Sequence, residues 1–242
     1  MYKHSAGVFS ILLILIASGC ASSGQAIFLA EKEPIALVSV VSNAGINWRD
    51  EEPISNPDAN VLFRLSLRKD PDLTLMSNAG ELITTAESLI RNTLAFSPQM
   101  IIAESGAVTG SNAYRNARQS RTFSADKMVS SAGLQPIFYR DKDFLSALAN
   151  ETGIRYCMFI EFNFTTAMVT GLGKIGKARA CIDMLVTIVD TQGKALYSKS
   201  FYLGSDLTFS VSFGEYSHSE LIDIFESTIQ DICYKFMDDL GI

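Results

Sequence analysis

KARACIDMLVTIVDTQGKALYSKSFYL, residues 177–203, is the stretch on which the fold turns. Ala178, Ala180, Ile182, Met184, Val186 and Ile188 fall on one side of a period-two repeat, with Lys177, Arg179, Asp183 and Thr187 on the other. That alternation is a strand with one buried and one wet face. Asp190-Thr191-Gln192-Gly193-Lys194 supplies turn chemistry, and Ala195 to Leu203 resumes strand character. The segment therefore predicts an antiparallel hairpin. Its apolar side needs a covering layer. Downstream, Ser217 and Glu220 form a capping box ahead of a helical stripe of Leu221, Phe225, Ile229, Ile232, Phe236 and Leu240.

Upstream of the hairpin, Arg155 to Phe164 reads as a strand with Tyr156, Met158, Ile160, Phe162 and Phe164 on one face. Before it, Asp141 and Asp143 open a helix carrying Phe144, Leu145, Leu148 and Ala149, and Gly153 is placed to cap it in the left-handed conformation. Glu81 to Phe96 is a second amphipathic helix, stopped by Ser97-Pro98 and followed by the short strand Met100 to Ala103. Ile35 to Val41 is a nearly continuous apolar run, suited to a strand buried on both faces. Val61 to Leu67 alternates as a half-buried strand. Asn43 to Asn60, with Pro53, Pro57 and the sole tryptophan Trp48, reads as a long polar loop. Helices feeding directly into strands make an α/β (α+β) body: a mixed sheet flanked by helices, with an antiparallel C-terminal hairpin and a closing C-terminal helix. Residues 34–242 are expected to form one domain.

The whole chain has 242 residues, 48% hydrophobic and 19% charged, which excludes a disordered protein. Twenty Lys plus Arg against 26 Asp plus Glu give a net charge of −6, so no basic excess is available for a nucleic-acid backbone. No nucleic-acid partner is expected.

Residues 1–20 read MYKHSAGVFSILLILIASGC. The apolar run from Val8 to Ile16 is too short to span a bilayer and follows Lys3 and His4, as in a secretory signal peptide. Ala17-Ser18-Gly19-Cys20 resembles the lipobox of bacterial lipoproteins. The resemblance implies cleavage after residue 19, diacylglycerol on the Cys20 thiol and a lipidated tether over residues 20–33. Ala21, where Asp would signal retention, implies transit to the outer membrane, facing the periplasm. An acidic body on an anionic membrane would be held by that lipid, not by charge.

With Cys20 lipidated, Cys157, Cys181 and Cys233 remain, an odd number that permits at most one internal disulfide. His218 is the only histidine beyond the signal peptide, so neither a zinc site nor a Ser/His/Asp triad assembles readily. No cofactor and no enzymatic activity are expected. An enzyme would require carboxylates such as Glu161 and Asp183 to share a cleft with perturbed pKa values.

The order of elements resembles the α/β domain shared by the TolB N-terminal domain, the curli secretion lipoprotein CsgG and the penicillin-binding-protein activator LpoB. Three places carry the resemblance: the strand Ile35 to Val41; the passage from the helix around Leu145 through Thr152-Gly153-Ile154-Arg155-Tyr156 into a strand ending at Glu161; and the hairpin Val189 to Ser198. It implies an envelope module that binds other envelope proteins, with homo-oligomerisation open and no catalytic residues. The alternative it implies is an oligomeric secretion or pore component of the outer membrane.

Three further segments invite functional readings. Gly171-Leu172-Gly173-Lys174-Ile175-Gly176 fits GxGxxG, but a strand follows it where a dinucleotide site needs a helix, so it reads as a glycine-rich hairpin tip. With Met168, Val169, Leu172 and Ile175, that tip could instead be an exposed apolar loop meeting a membrane or partner. Ser111 to Lys127 holds Tyr114, Arg115, Arg118 and Arg121 against a single acid, Asp126. It is either a solvated surface or a basic island contacting lipid headgroups or an acidic partner. Ser205 to Gly214 alternates Leu207, Phe209, Val211 and Phe213 with polar residues, as a sheet edge or a membrane-barrel strand does.

Overall fold

The computed structural model describes residues 29–49, 76–119, 128–172, 175–213 and 215–242. The signal peptide, Cys20, the expected strand Val61 to Leu67 and Arg121 lie outside the described residues. In chain order the elements are β1 (Pro34–Asn43), β2 (Gly45–Trp48), β3 (Met76–Asn78), α1 (Ala79–Ala95), β4 (Ile101–Ile102), α2 (Ser105–Thr109), α3 (Asn112–Arg115), β5 (Met128–Ser130), α4 (Lys142–Thr152), β6 (Tyr156–Leu172), β7 (Ile175–Val189), β8 (Ala195–Gly204), β9 (Phe209–Ser212) and α5 (His218–Leu240).

The sheet is built on β6 and β7, antiparallel to each other along their length. β6 pairs on its other side in parallel with β1, then with β2. β1 carries β4 in parallel at its start and β5 antiparallel at its end. β7 continues outward into β8 and, nearer the β6–β7 tip, into β9. This is the mixed α/β sheet expected, with its C-terminal hairpin and closing helix. Asp190 Oδ1 accepts from the amides of Gln192 at 2.8 Å and Lys194 at 3.0 Å, and Gly193 takes φ 71°, so the turn is made by the residues that predict it.

Asn43 to Asn60 does not begin as a loop. Its first residues form β2, because β6 runs past the end of β1 and leaves backbone groups that the next segment fills. Asn43 makes the transfer: its Nδ2 donates to Phe164 O at 2.8 Å and Gly45 O at 2.7 Å, and its Oδ1 accepts from Phe164 N at 2.8 Å. One side chain thus stands in for the backbone pairing where β1 gives way to β2.

One face of the sheet is covered along its length by α1 and α5. Phe225 meets the edge of Phe164 at 5.5 Å between ring centroids, and Phe236 packs against Tyr197 and Phe201 at 5.7 and 5.9 Å. The α5 stripe expected from the sequence is buried throughout, and Ser217 caps the helix by accepting from Glu220 N at 3.3 Å. Among the described residues, helices cover the opposite face only over the first part of β6, where α2, α3 and α4 lie; Tyr139 lies 6.3 Å from Phe159 there. Asp141 caps α4 through Phe144 N at 3.1 Å, and Gly153 closes it at φ 74°, as predicted. β1, flanked by partners on both edges and layers on both faces, is buried over eight of its ten residues, which is why its sequence lacks alternation.

Residues 29–33, the end of the expected tether, are pinned to the body. Arg155 pairs with Glu31 at 3.0 Å and with Glu33, and Tyr156 donates to Glu31 at 2.5 Å. The hydrogen bond from Arg155 lowers the Glu33 pKa.

In β9, Phe209 and Val211 are buried and Phe209 packs on Tyr216, so the apolar side that would face lipid in a barrel faces the core here. Leu207 and Phe213, at either end, are exposed. In the glycine-rich segment Gly171 pairs with Gly176 and Leu172 with Ile175, so these described residues are strand, and Gly173 and Lys174 between them lie outside the described residues. Met168 is buried; Ile175 is half exposed. A Cβ on Gly176 would lie 2.2 Å from Thr170 O and 2.3 Å from Met168 Cε. Close strand approach therefore explains that glycine, not phosphate binding. Cys157, Cys181 and Cys233 are buried and form no disulfide among the described residues; burial raises Cys157 and Cys233 to about 12. Among the described residues no helix is long and apolar enough to cross a membrane.

Candidate functional site

Beyond Phe159, the second face of the sheet carries no helix among the described residues. Two cross-strand rows lie open there. Glu161 of β6 stands opposite Leu185 of β7, which stands opposite Ser200 of β8. In the next row Asn163, Asp183 and Tyr202 align in the same way. Period-two pleating puts all six side chains on the face away from α5. With Asn43 and Met128 at the rim, Glu161, Asn163, Asp183, Leu185 and Ser200 line a cleft of about 330 Å³.

The two carboxylates differ in their surroundings. Asp183 Oδ2 accepts from Arg49 at 3.0 Å and from Asn163 Nδ2 at 3.2 Å, and the Arg49 guanidinium lies 4.6 Å over the Tyr202 ring. Arg49 reaches the site because its amide donates to Thr166 O at 2.7 Å, extending the β2 pairing by one residue. Glu161 makes no hydrogen bond or ion pair among the described residues. It is diagonal to Asp183, roughly 7–8 Å away between Cα atoms by sheet geometry, and burial raises its pKa.

A raised native pKa means that the unfolded chain ionises Glu161 first. The protonated form thus supports the native state at low pH, and that support is lost as pH rises from the ordinary carboxyl value of 4.5 through the higher native value. Glu161→Gln, which cannot ionise, is therefore expected to raise Tm at pH 7 and to leave it nearly unchanged at pH 3.5. Calorimetric melts at the two pH values test this; an equal shift at both would remove the ionisation account.

The sequence-derived candidates fare differently. Tyr114 is not a surface contact. It is 2% exposed, its hydroxyl donates to Val38 O at 2.9 Å and accepts from Gln135 N at 2.7 Å, and its ring meets Phe144 edge-on at 6.3 Å. Arg115 and Arg118 are exposed, and Arg115 donates to Asn112 Oδ1 at 2.9 Å. The island is also less basic in space than in sequence. Glu151 of α4 accepts from the amides of Asn112 at 2.7 Å and Ala113 at 3.1 Å, and Asp141 and Asp143 line a small cleft beside Arg118. Glu161 and Asp183, named only as the pair an enzyme would need, do share one cleft. Asp183 is paired with Arg49, and no described residue hydrogen-bonds Glu161. A larger cleft of about 530 Å³ lies beside β4, but its half-buried cation, Arg91, is already held by Glu87 at 2.8 Å.

No family model matches the chain. No curated protein matches it either. Among solved structures, the LpoB C-terminal domain from Salmonella enterica aligns at 12% identity over 76% of this chain and 98% of that one, with a TM-score of 0.31. The NMR structure of E. coli LpoB aligns at 12% identity over 74% of this chain and 64% of that one, with a TM-score of 0.28. At these scores neither alignment carries weight, and the fold class rests on the strand order and helix layers of this chain.

Proposed function

We propose that the protein is a lipid-anchored module of the bacterial envelope that binds another envelope protein through the open half of its sheet. The observation that carries this is the asymmetry of the two faces among the described residues: α1 and α5 pack on one, whereas no described helix lies over Glu161, Asn163, Leu185 and Ser200 on the other. Regular strands hold such side chains in place at little further entropic cost on binding, which favours recognition. The sequence supports the address: residues 1–19 as signal peptide, Cys20 as lipid site, 20–33 as tether, 34–242 as the domain, and the outer membrane, periplasmic face, as destination. Tether and body meet at the Arg155 cluster, so the domain hangs from the membrane by its β1 end.

The test is the intact mass of the membrane-extracted protein together with crosslinking of whole envelopes. A diacyl or triacyl mass on a chain beginning at Cys20, with a reproducible crosslinked partner, is expected. An unacylated soluble protein, or one that crosslinks to nothing, would overturn the proposal.

A further inference from the structure

The chain enters the folded body beside an uncharged, apolar corner. Residues 92–103, NTLAFSPQMIIA, contain no Asp, Glu, Lys, Arg or His, in a chain that is 19% charged. α1 ends there in a tight turn. Phe96 N donates to Thr93 O at 3.2 Å, Ser97 N to Leu94 O at 3.1 Å and Gln99 N to Ser97 Oγ at 3.3 Å, and Pro98 forbids a further helical turn. This leaves Phe96 81% exposed, and β4 then sets Ile101, 47% exposed, beside Pro34 of β1 in parallel register. Ala95, Pro98 and Gln99 are exposed as well. A single exposed phenylalanine is ordinary, but an exposed corner without a charge can enter an apolar boundary with no ion to desolvate.

The tether leaves the body at the same place. Pro34 follows Glu33, which accepts from Arg155 Nε at 2.6 Å, and the next residue, Tyr156, pairs with Ile35. Corner, tether exit and Arg155 clasp therefore sit side by side on β4, β1 and β6, at one end of the sheet. Nine residues run from Cys20 to Phe28, ahead of Leu29; they reach at most about 30 Å extended and span roughly 15–18 Å as a coil. A lipid on Cys20 thus keeps this corner within reach of the headgroups. Ser210, level with Lys177 and Thr170, stands roughly 45 Å further along β6.

We infer that the domain rests on the membrane through this corner, with Phe96 and Ile101 entering the boundary between headgroups and acyl chains. This rests on the lipid anchoring proposed above and adds an orientation to it. Two side chains do not hold a protein at a bilayer; they set which end of an already tethered body faces it. Because the contact is apolar, salt is expected to leave it unchanged.

The test uses the full protein, extracted from membranes and reconstituted into vesicles of phosphatidylethanolamine and phosphatidylglycerol. A fluorophore is attached to Gln99→Cys or, at the far end, to Ser210→Cys; Cys157, Cys181 and Cys233 are buried and do not compete for the label. Quenching by a lipid spin-labelled just below its headgroup is expected to be about threefold or more stronger at position 99 than at 210. It should fall to the level at 210 when Phe96→Ser and Ile101→Ser are combined and survive Phe96→Leu, while flotation shows every variant still on the vesicles. Melting curves establish that the variants fold. Phe96→Ser alone, outside the core, is expected to remove about half of the quenching and serves if the double variant does not fold. Equal quenching at the two positions, stronger quenching at 210, or quenching unmoved by the serine changes would overturn the inference with the anchoring intact. So would a label at 99 that is shielded from aqueous iodide yet untouched by the spin-labelled lipid, since residues 20–28 would then cover the corner. Wild-type protein that carries no acyl mass and does not float would overturn the anchoring reading, and this inference with it.

Discussion

Tyr114→Ala is expected to destabilise the domain by about 3–5 kcal/mol, the range for removing a large buried ring. The ring fills the layer between α3 and α4, and its hydroxyl ties that layer to the sheet at Val38 O. Burial raises its pKa to about 12, so it remains a neutral O–H donor across the physiological range. Tyr114→Phe keeps most of the packing but leaves Val38 O and Gln135 N without their partner, and should cost about 1–3 kcal/mol. Native domains have only about 5–15 kcal/mol in total, so the alanine variant should be marginal at 37 °C and the phenylalanine variant should not. Denaturant titration of both variants measures this. A loss under about 1 kcal/mol for Tyr114→Ala would contradict the burial on which the reassignment of this residue rests.

Cys20→Ala is expected to abolish incorporation of labelled palmitate and to remove the protein from the outer-membrane fraction of a density gradient. Each buried methylene contributes about 0.8 kcal/mol, and two acyl chains already give stable anchoring, whereas an acidic body gains nothing from an anionic surface. The wild type should therefore resist extraction by high salt and yield to detergent. Because lipobox cleavage follows modification of the cysteine, the variant should keep residues 1–19 and appear as a heavier precursor at the inner membrane. A variant that still fractionates with the outer membrane would show that something other than Cys20 holds it there.

Most of the secondary structure was legible because its signals are local. The alternation over 177–190, the Asp190 turn, the Ser217 and Asp141 caps and the α5 stripe each depend on residues within one or two turns of chain, and each appears where it was expected. The β1–β2 junction was not legible. Asn43 is bonded to Phe164, 121 residues away, and a polar residue beside a proline-bearing stretch looks like the start of a loop until that partner is known. Tyr114 misled for a related reason. It sits among arginines in sequence, but a short helix turns neighbours to opposite sides, so the ring goes inward while Arg115 and Arg118 remain outside.

By itself the sequence determined the class of fold, the strand and helix inventory around the hairpin, and the expected address at Cys20, because periodicity, capping, turn chemistry and a signal segment are all encoded in neighbouring residues. Only the tertiary structure decided which face of the sheet the described helices cover and which carboxylate on the other face meets Arg49. Strand register brings Arg49 to Asp183 across 134 positions and not to Glu161, one row away; the balance of charge at a site depends on distances in space, which a linear pattern does not contain.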